Sequence, residues 1–129
     1  MKIILPLCII LPRRKKNQTF YLNLNFYRNA HFQILNQAKV IYHTAVKVLN
    51  PGLKLSAGPP YSFIYTLYPR NKGRVDLGNV LSIVQKFTED ALVEMGVIPD
   101  DDYKIIREVT YKIGQIDKEN PRAELEIWR

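Results

Sequence analysis

No aspartate or glutamate occurs in residues 1–75. That stretch nevertheless holds 12 of the 19 Lys and Arg residues, so its cations have no local acid to neutralise them and all carboxylate chemistry is left to residues 76–129. With a formal net charge of +7 and a pI near 9.6, the chain favours an anionic partner. Nucleic acid ranks ahead of membrane because no long basic amphipathic helix is evident. A polymer of closely spaced phosphates is the chemistry such a surface meets best; a merely soluble basic protein is the plainer alternative. Cysteine is nearly absent as well. Cys8 is the only one, which excludes a disulfide within the chain and reads as a small core residue in a reducing compartment. Long apolar runs are also missing: Met1–Leu11 offers about ten apolar residues, half of what a membrane helix needs. Pro6 inside that run, the lack of a small-residue cleavage site, and Arg13-Arg14-Lys15-Lys16 after it are wrong for an export signal. A buried strand in a cytoplasmic protein without a membrane partner is the expectation.

At 129 residues the chain reads as one domain, 1–129, large enough for a core that needs no disulfide or metal. Repeats and low-complexity segments are absent. Lys2–Leu11, with Ile3, Ile4, Ile9 and Ile10, predicts a first strand, placed at an edge or bulge by Pro6, and Thr19–Leu24 its hairpin partner. Apolar positions Leu35, Ala38, Tyr42, Ala45 and Leu49 share one helical face, predicting a helix over about 30–49 with Asn29 as its N-cap. Tyr61–Tyr68 is aromatic and β-branched enough for a strand. A second helix is predicted over about 79–95, ended by Gly96, and two strands over about 105–113 and 123–128. The whole is an α+β fold: a mixed or antiparallel sheet with two helices on one face.

Asp76, the first acid, precedes the second helix, and Asp100-Asp101-Asp102 follows it. Three adjacent carboxylates repel and need a counter-ion or full solvation, so a solvated acidic turn is the plain reading. Asp76 alone has an equally plain use at the positive end of a helix. Should the two groups meet, hard oxygen ligands without His or Cys select Mg²⁺ or Mn²⁺ rather than zinc. Between them Asn79, Ser82, Lys86 and Asp90 form a polar helical stripe. Lys86 and Asp90 are spaced for an intrahelical ion pair; alternatively Lys86 reaches a scissile phosphate, whose developing charge a cation stabilises.

Asp76-Leu77-Gly78-Asn79, Asp90-Ala91-Leu92, Gly96 and Asp101-Asp102-Tyr103-Lys104-Ile105-Ile106, with Asn25-Phe26-Tyr27-Arg28 upstream, resemble the ordered motifs of RusA-type Holliday-junction resolvases, phage-borne members in particular. The resemblance spans about 23–128. It implies a homodimeric, Mg²⁺-dependent endonuclease that cuts four-way DNA junctions by paired nicks, working in the cytoplasm of a bacterial host if phage-borne. By that resemblance Asp76 and Asp102 are catalytic metal ligands, Asp101 is their neighbour in the metal set, and Asn79 and Asp90 support the site; Lys86, one turn beyond Ser82, is the candidate catalytic cation. The chain departs from the pattern at Gly78, where the family has a second Asp, and at Ser82, where it has a lysine.

Arg13, Arg14, Lys15, Lys16, Arg28, Arg70, Lys72 and Arg74 are the expected phosphate contacts. Asn25 joins them as a nucleic-acid contact, and Phe20, Tyr21, Phe26, Tyr27 and His31 are stacking candidates, at least half of them with core packing as the commoner fate. Two other readings stay open. One is a RusA-fold DNA-binding protein impaired in cutting by Gly78, and the other a regulatory module that binds protein. Apolar surface at Met1–Leu11 and Trp128 serves either a dimer contact or the monomer core.

Overall fold

Pro6 divides the apolar N-terminus. In the computed structural model, which describes residues 1–129, Lys2–Leu5 is β1 and Cys8–Leu11 is β2, and the two belong to different sheets. The single strand expected over Lys2–Leu11 is corrected accordingly: proline cannot donate to a ladder and fixes its own φ, so the chain changes sheet there. Strand β2 pairs antiparallel with β3, Gln18–Tyr21, and the basic turn forms the tip between them. Strand β3 ends earlier than expected because Asn23 caps a short helix, α1 (Leu24–Asn29), its side chain accepting the Phe26 N–H. Helix α2 covers Phe32–Leu49 and takes its N-cap from His31. Asn29, the expected cap, is instead the last residue of α1.

Strand β4 is Tyr61–Tyr68, α3 Leu77–Glu94, β5 Ile106–Ile113 and β6 Arg122–Trp128. Gly96 ends α3 with φ of 73°, a left-handed conformation that costs glycine little. The main sheet has the order β1-β6-β4-β5; β6 runs antiparallel to both neighbours, and β4 and β5 run parallel. This is the expected α+β fold with a mixed sheet. Successive β5 and β6 do not pair with each other, because β4 lies between them.

Alternation along β4 is strict. Tyr61, Phe63, Tyr65 and Leu67 are buried while Ser62, Ile64, Thr66 and Tyr68 are half-exposed, so the sheet has one covered face. Ile3, Leu5, Ala123 and Leu125 extend that face, and α3 lays Leu81, Val84 and Phe87 on it. Tyr42 of α2 packs edge-on against Phe87, and its hydroxyl shares a buried hydrogen bond of 2.8 Å with Thr88. Ile3, Leu5, Ile9 and Leu11 are thus monomer core, whereas Met1, Ile4, Ile10 and Trp128 face outward.

Strand β1 is an edge, and Asn50 closes it. The Asn50 side-chain oxygen accepts the Ile4 N–H at 2.8 Å and its amide donates to the Ile4 carbonyl at 2.9 Å, as a neighbouring strand would. A further bond to the Val46 carbonyl, 2.9 Å, ties the end of α2 to that edge. Replacement of Asn50 by alanine is expected to cost about 1–2 kcal/mol, read as a lower urea midpoint with unchanged slope; an unaltered midpoint would show that water replaces the amide.

Candidate active site and nucleic-acid interface

Parallel strands must be entered from the same end, so the connection between β4 and β5 has to travel back along the sheet. Helix α3 makes that return. Its 18 residues span about 27 Å, comparable with the length of an eight-residue strand. Asp76 therefore lies where the chain leaves β4 and Asp100–Asp102 where it enters β5, close to the start of β4: the Tyr61 N–H donates to the Ile105 carbonyl at 2.7 Å. The structure does not bring Asp76 together with Asp101 and Asp102.

At the first end Asp76 is exposed and caps α3, its Oδ1 accepting the Asn79 N–H at 3.2 Å. The Asn79 side-chain oxygen in turn accepts the Leu24 N–H at 3.0 Å, which fastens α1 to α3. Two of the stretches that carry the resemblance, Asn25–Arg28 and Asp76–Asn79, are thus neighbours in space. Nothing steric demands glycine between Asp76 and Asn79: a Cβ at Gly78 would meet only the Asp76 carboxylate, at 3.5 Å.

Arg70, Lys72 and Arg74 lead into Asp76 in an exposed loop, whereas Arg14, Lys15 and Lys16 sit at the tip of the β2–β3 hairpin, beyond the Leu11–Gln18 pair. These six and Arg28 are exposed, and none of them forms a salt bridge. Arg13 is different: its guanidinium donates to the Pro12 carbonyl and to Gln37 Oε1 of α2, at 2.8 and 3.0 Å. It anchors the basic turn rather than presenting a free charge. Asn25 is exposed and accepts two bonds from the Asn29 amide. Phe20 is fully buried and Phe26 and Tyr27 half-buried, which leaves Tyr21 and His31 as the outward rings.

The second end is a groove of about 470 Å³ between α2, α3 and β5. Lys39, Lys86, Glu89, Asp90 and Asp101 converge on it, with Ser82, Gln85 and Tyr111 lining its wall. Asp102 is exposed beside Asp101, its Oδ1 accepting the Lys104 N–H at 2.9 Å. The expected Lys86–Asp90 ion pair does not form. Asp90 pairs with Lys39 across the helix interface at 3.7 Å, while the Lys86 ammonium lies 5.7 Å from the centre of the Tyr27 ring, an attraction between a cation and the ring's negative face. Lys86 is therefore free of carboxylate partners and links the α1 surface to the groove.

Glu89 escaped the sequence reading because helical spacing sets it opposite the apolar face of Val80, Val84, Phe87 and Ala91, where it reads as polar surface. Its signal was a second polar row, Ser82, Gln85 and Glu89, at the same spacing as the first. The Tyr65 hydroxyl donates to Glu89 Oε2 at 3.2 Å, and the Tyr111 hydroxyl donates to Gln85 Oε1. Burial pushes the Glu89 carboxyl up to about 7, against the hydrogen bonds from Tyr65 and Gln85, which pull it down; nearby Asp101 and Asp90 add to the rise.

No group of three or more His, Cys, Asp or Glu side chains is placed to hold a metal ion. A closed cage is thereby unavailable, at Asp76 and in the groove alike. Asp90 and Asp101 nonetheless supply hard oxygen donors to one open groove, a set that suits Mg²⁺ retaining most of its own water, since that ion commonly uses one or two protein carboxylates at phosphate sites. No helix is long and apolar enough to cross a membrane. Comparison with family models and with curated proteins returned no match.

Glu89 generates a stability prediction. Between about pH 5 and pH 7 the native protein holds a proton that the unfolded chain has released, so stability falls as pH rises through that window and levels off above it. Glu89→Gln is expected to remove this slope and to stabilise the protein by about 1–3 kcal/mol at pH 8. Urea titrations at pH 5 and pH 8 that shift equally in variant and parent would refute it.

Proposed function

We propose that this chain is a RusA-type, Mg²⁺-dependent endonuclease that acts on branched DNA, four-way junctions foremost, with the α2–α3–β5 groove as its cutting site. The observation that carries the reading is the groove itself: Asp90 and Asp101 share it with Lys86, a cation that no carboxylate neutralises. Acid-free cations of residues 1–75 supply phosphate contacts that position DNA without reading its sequence. Asp90 and Asp101 would hold the ion, or Mn²⁺ in its place, with Asp102 adjacent. When bound, the ion would supply an activated water and neutralise charge on the phosphate.

The protein's own groups perform the remainder. Lys86, kept off Asp90 by the Tyr27 ring, stabilises charge that develops on the phosphate oxygens. Lys39 holds Asp90 in place through their ion pair. Asp76 and Asn79 fasten α1, and with it Tyr27, to the same helix. Paired nicking needs two such grooves, and a homodimer supplies them; the outward Met1, Ile4, Ile10 and Trp128 offer apolar surface for the second copy. Cytoplasmic DNA is the substrate in this reading.

A second reading is favoured by Gly78 and by the separation of Asp76 from Asp101 and Asp102: the chain binds branched DNA without cutting it. A nicking assay on a synthetic four-way junction, with and without Mg²⁺, separates the two. Cutting that requires the metal and falls at least tenfold in Asp90→Asn and Asp101→Asn, with binding retained, is the expected result. A junction bound but intact in Mg²⁺ and in Mn²⁺ would sink the endonuclease.

Gly78→Asp tests the departure from the resolvase pattern directly. An acidic residue in the first turn of α3 replaces a poor helix former and meets the positive helix end, so about 0.5–1 kcal/mol of added stability is expected. The variant also sets a second carboxylate beside Asp76. Cutting that appears only in this variant would establish binding without cutting as the natural activity. Asp76→Asn preserves the cap, because asparagine and aspartate cap equally well; lost cutting at unchanged thermal midpoint would give Asp76 a direct part in the chemistry.

A further inference from the structure

An apolar cleft of about 610 Å³ opens beside Asp76, within the size range of sites for small ligands. Leu7 and Cys8, just past Pro6, line it together with Val75 and Val80, which flank the cap of α3. Tyr21, half-exposed, stands at its margin. No Asp or Glu lines the cleft, whereas Arg70 does, and Lys72 and Arg74 follow it in the same exposed loop.

Arg122, the other lining cation, is already neutralised. Asp117 and Glu124 each bind it at 2.8 Å, and it lies 4.4 Å from the centre of the Tyr68 ring. Attraction for an anion therefore comes from the 70–74 loop alone.

Three asparagines supply hydrogen bonding to the cleft: Asn23, Asn71 and Asn120. Asn23 Oδ1 is occupied by the Phe26 N–H at 2.9 Å and Asn71 Oδ1 by the Gly73 N–H at 2.8 Å. Their amide NH₂ groups keep both protons for a ligand. The ligand that matches is flat and apolar on its faces, rich in acceptors at its edge, and tied to phosphate.

We infer that this cleft takes an unpaired nucleobase of branched DNA, with the Arg70–Arg74 loop on the adjoining phosphates. The inference rests on the DNA reading and deepens it: it assigns the Asp76 end of α3 to recognition of a base that is out of its stack. A paired duplex keeps its bases stacked and cannot fill the cleft without an unstacking cost of a few kcal/mol. Affinity for unpaired over fully paired DNA follows, together with the salt sensitivity that any phosphate contact brings.

Cys8 makes the test direct, because the only cysteine lines the cleft. Its alkylation by a maleimide is to be timed on the intact protein alone, with a fully paired duplex, and with the same duplex carrying one unpaired thymine. Occupancy of each DNA is matched by fluorescence anisotropy. The expected result is at least tenfold slower alkylation with the unpaired thymine and little change with the paired duplex. Cys8→Trp, which fills the cleft, and Tyr21→Ala, which removes the margin ring, are each expected to lose the preference for unpaired DNA at unchanged thermal midpoint and paired-duplex binding. Equal protection by both DNAs, a preference that survives in both variants, or protection that grows with protein concentration in the absence of DNA would overturn the inference, the last by giving the cleft to a second copy. Bound DNA with Cys8 freely labelled rejects the cleft alone. A protein that binds neither DNA rejects the cleft and the DNA reading together.

Discussion

Parallel pairing of β4 with β5 is the constraint on which the rest of this structure hangs. Two strands that run the same way can be joined only by a segment that returns the full length of the sheet, and α3 is that segment. Its apolar residues Leu81, Val84 and Phe87 follow from this path, because a crossover helix must bury one face on the sheet it crosses. The placement of every acidic group in the functional argument follows as well. Asp76 is fixed at the exit from β4 and Asp100–Asp102 at the approach to β5.

The polar groups then divide along α3 into two settings with different physics. At its first turn, Asp76 and Asn79 are spent on backbone N–H groups, a use that holds α1 in place, and the exposed Arg70, Lys72 and Arg74 lead into that turn. Near its last turns burial raises the cost of ionising Glu89, nearby Asp101 and Asp90 add to it, and Glu89 answers by holding its proton. Lys86 stands between the two settings, with its ammonium on the Tyr27 ring. An exposed basic loop and a carboxylate groove are therefore joined by one rigid helix.

Much of the fold was legible in the sequence because periodicity survives any topology. Strict alternation over Tyr61–Tyr68 and the three- and four-residue spacing from Leu35 to Leu49 described their elements before any tertiary contact was known. Pro6 was legible as a disruption, though not as a change of sheet, since that depends on which partner each half finds. The short helix α1 was missed: six residues bury little, and its stability comes from the Asn23 cap and from Asn79, 55 positions away. The candidate site was less legible still. Lys86 and Asp90 have the spacing of an ion pair, but Lys39 on another helix wins Asp90, and Glu89 reads as polar surface until Tyr65 is placed over it.

By itself, the sequence determined the segregation of charge, the types of the long elements, and an α+β fold with two long helices over a sheet, because composition and hydrophobic period are local properties. Only the tertiary structure decided the direction in which β5 runs. Had β5 paired antiparallel to β4, the acidic cluster would have entered the sheet beside Asp76; the parallel arrangement sends it about a helix-length away. Strand direction is set by the sum of many distant contacts in the sheet and its covering helix. No residue near Asp76 or Asp102 encodes it, and so the carboxylates that the motifs set in one line of text stand at two ends of the molecule.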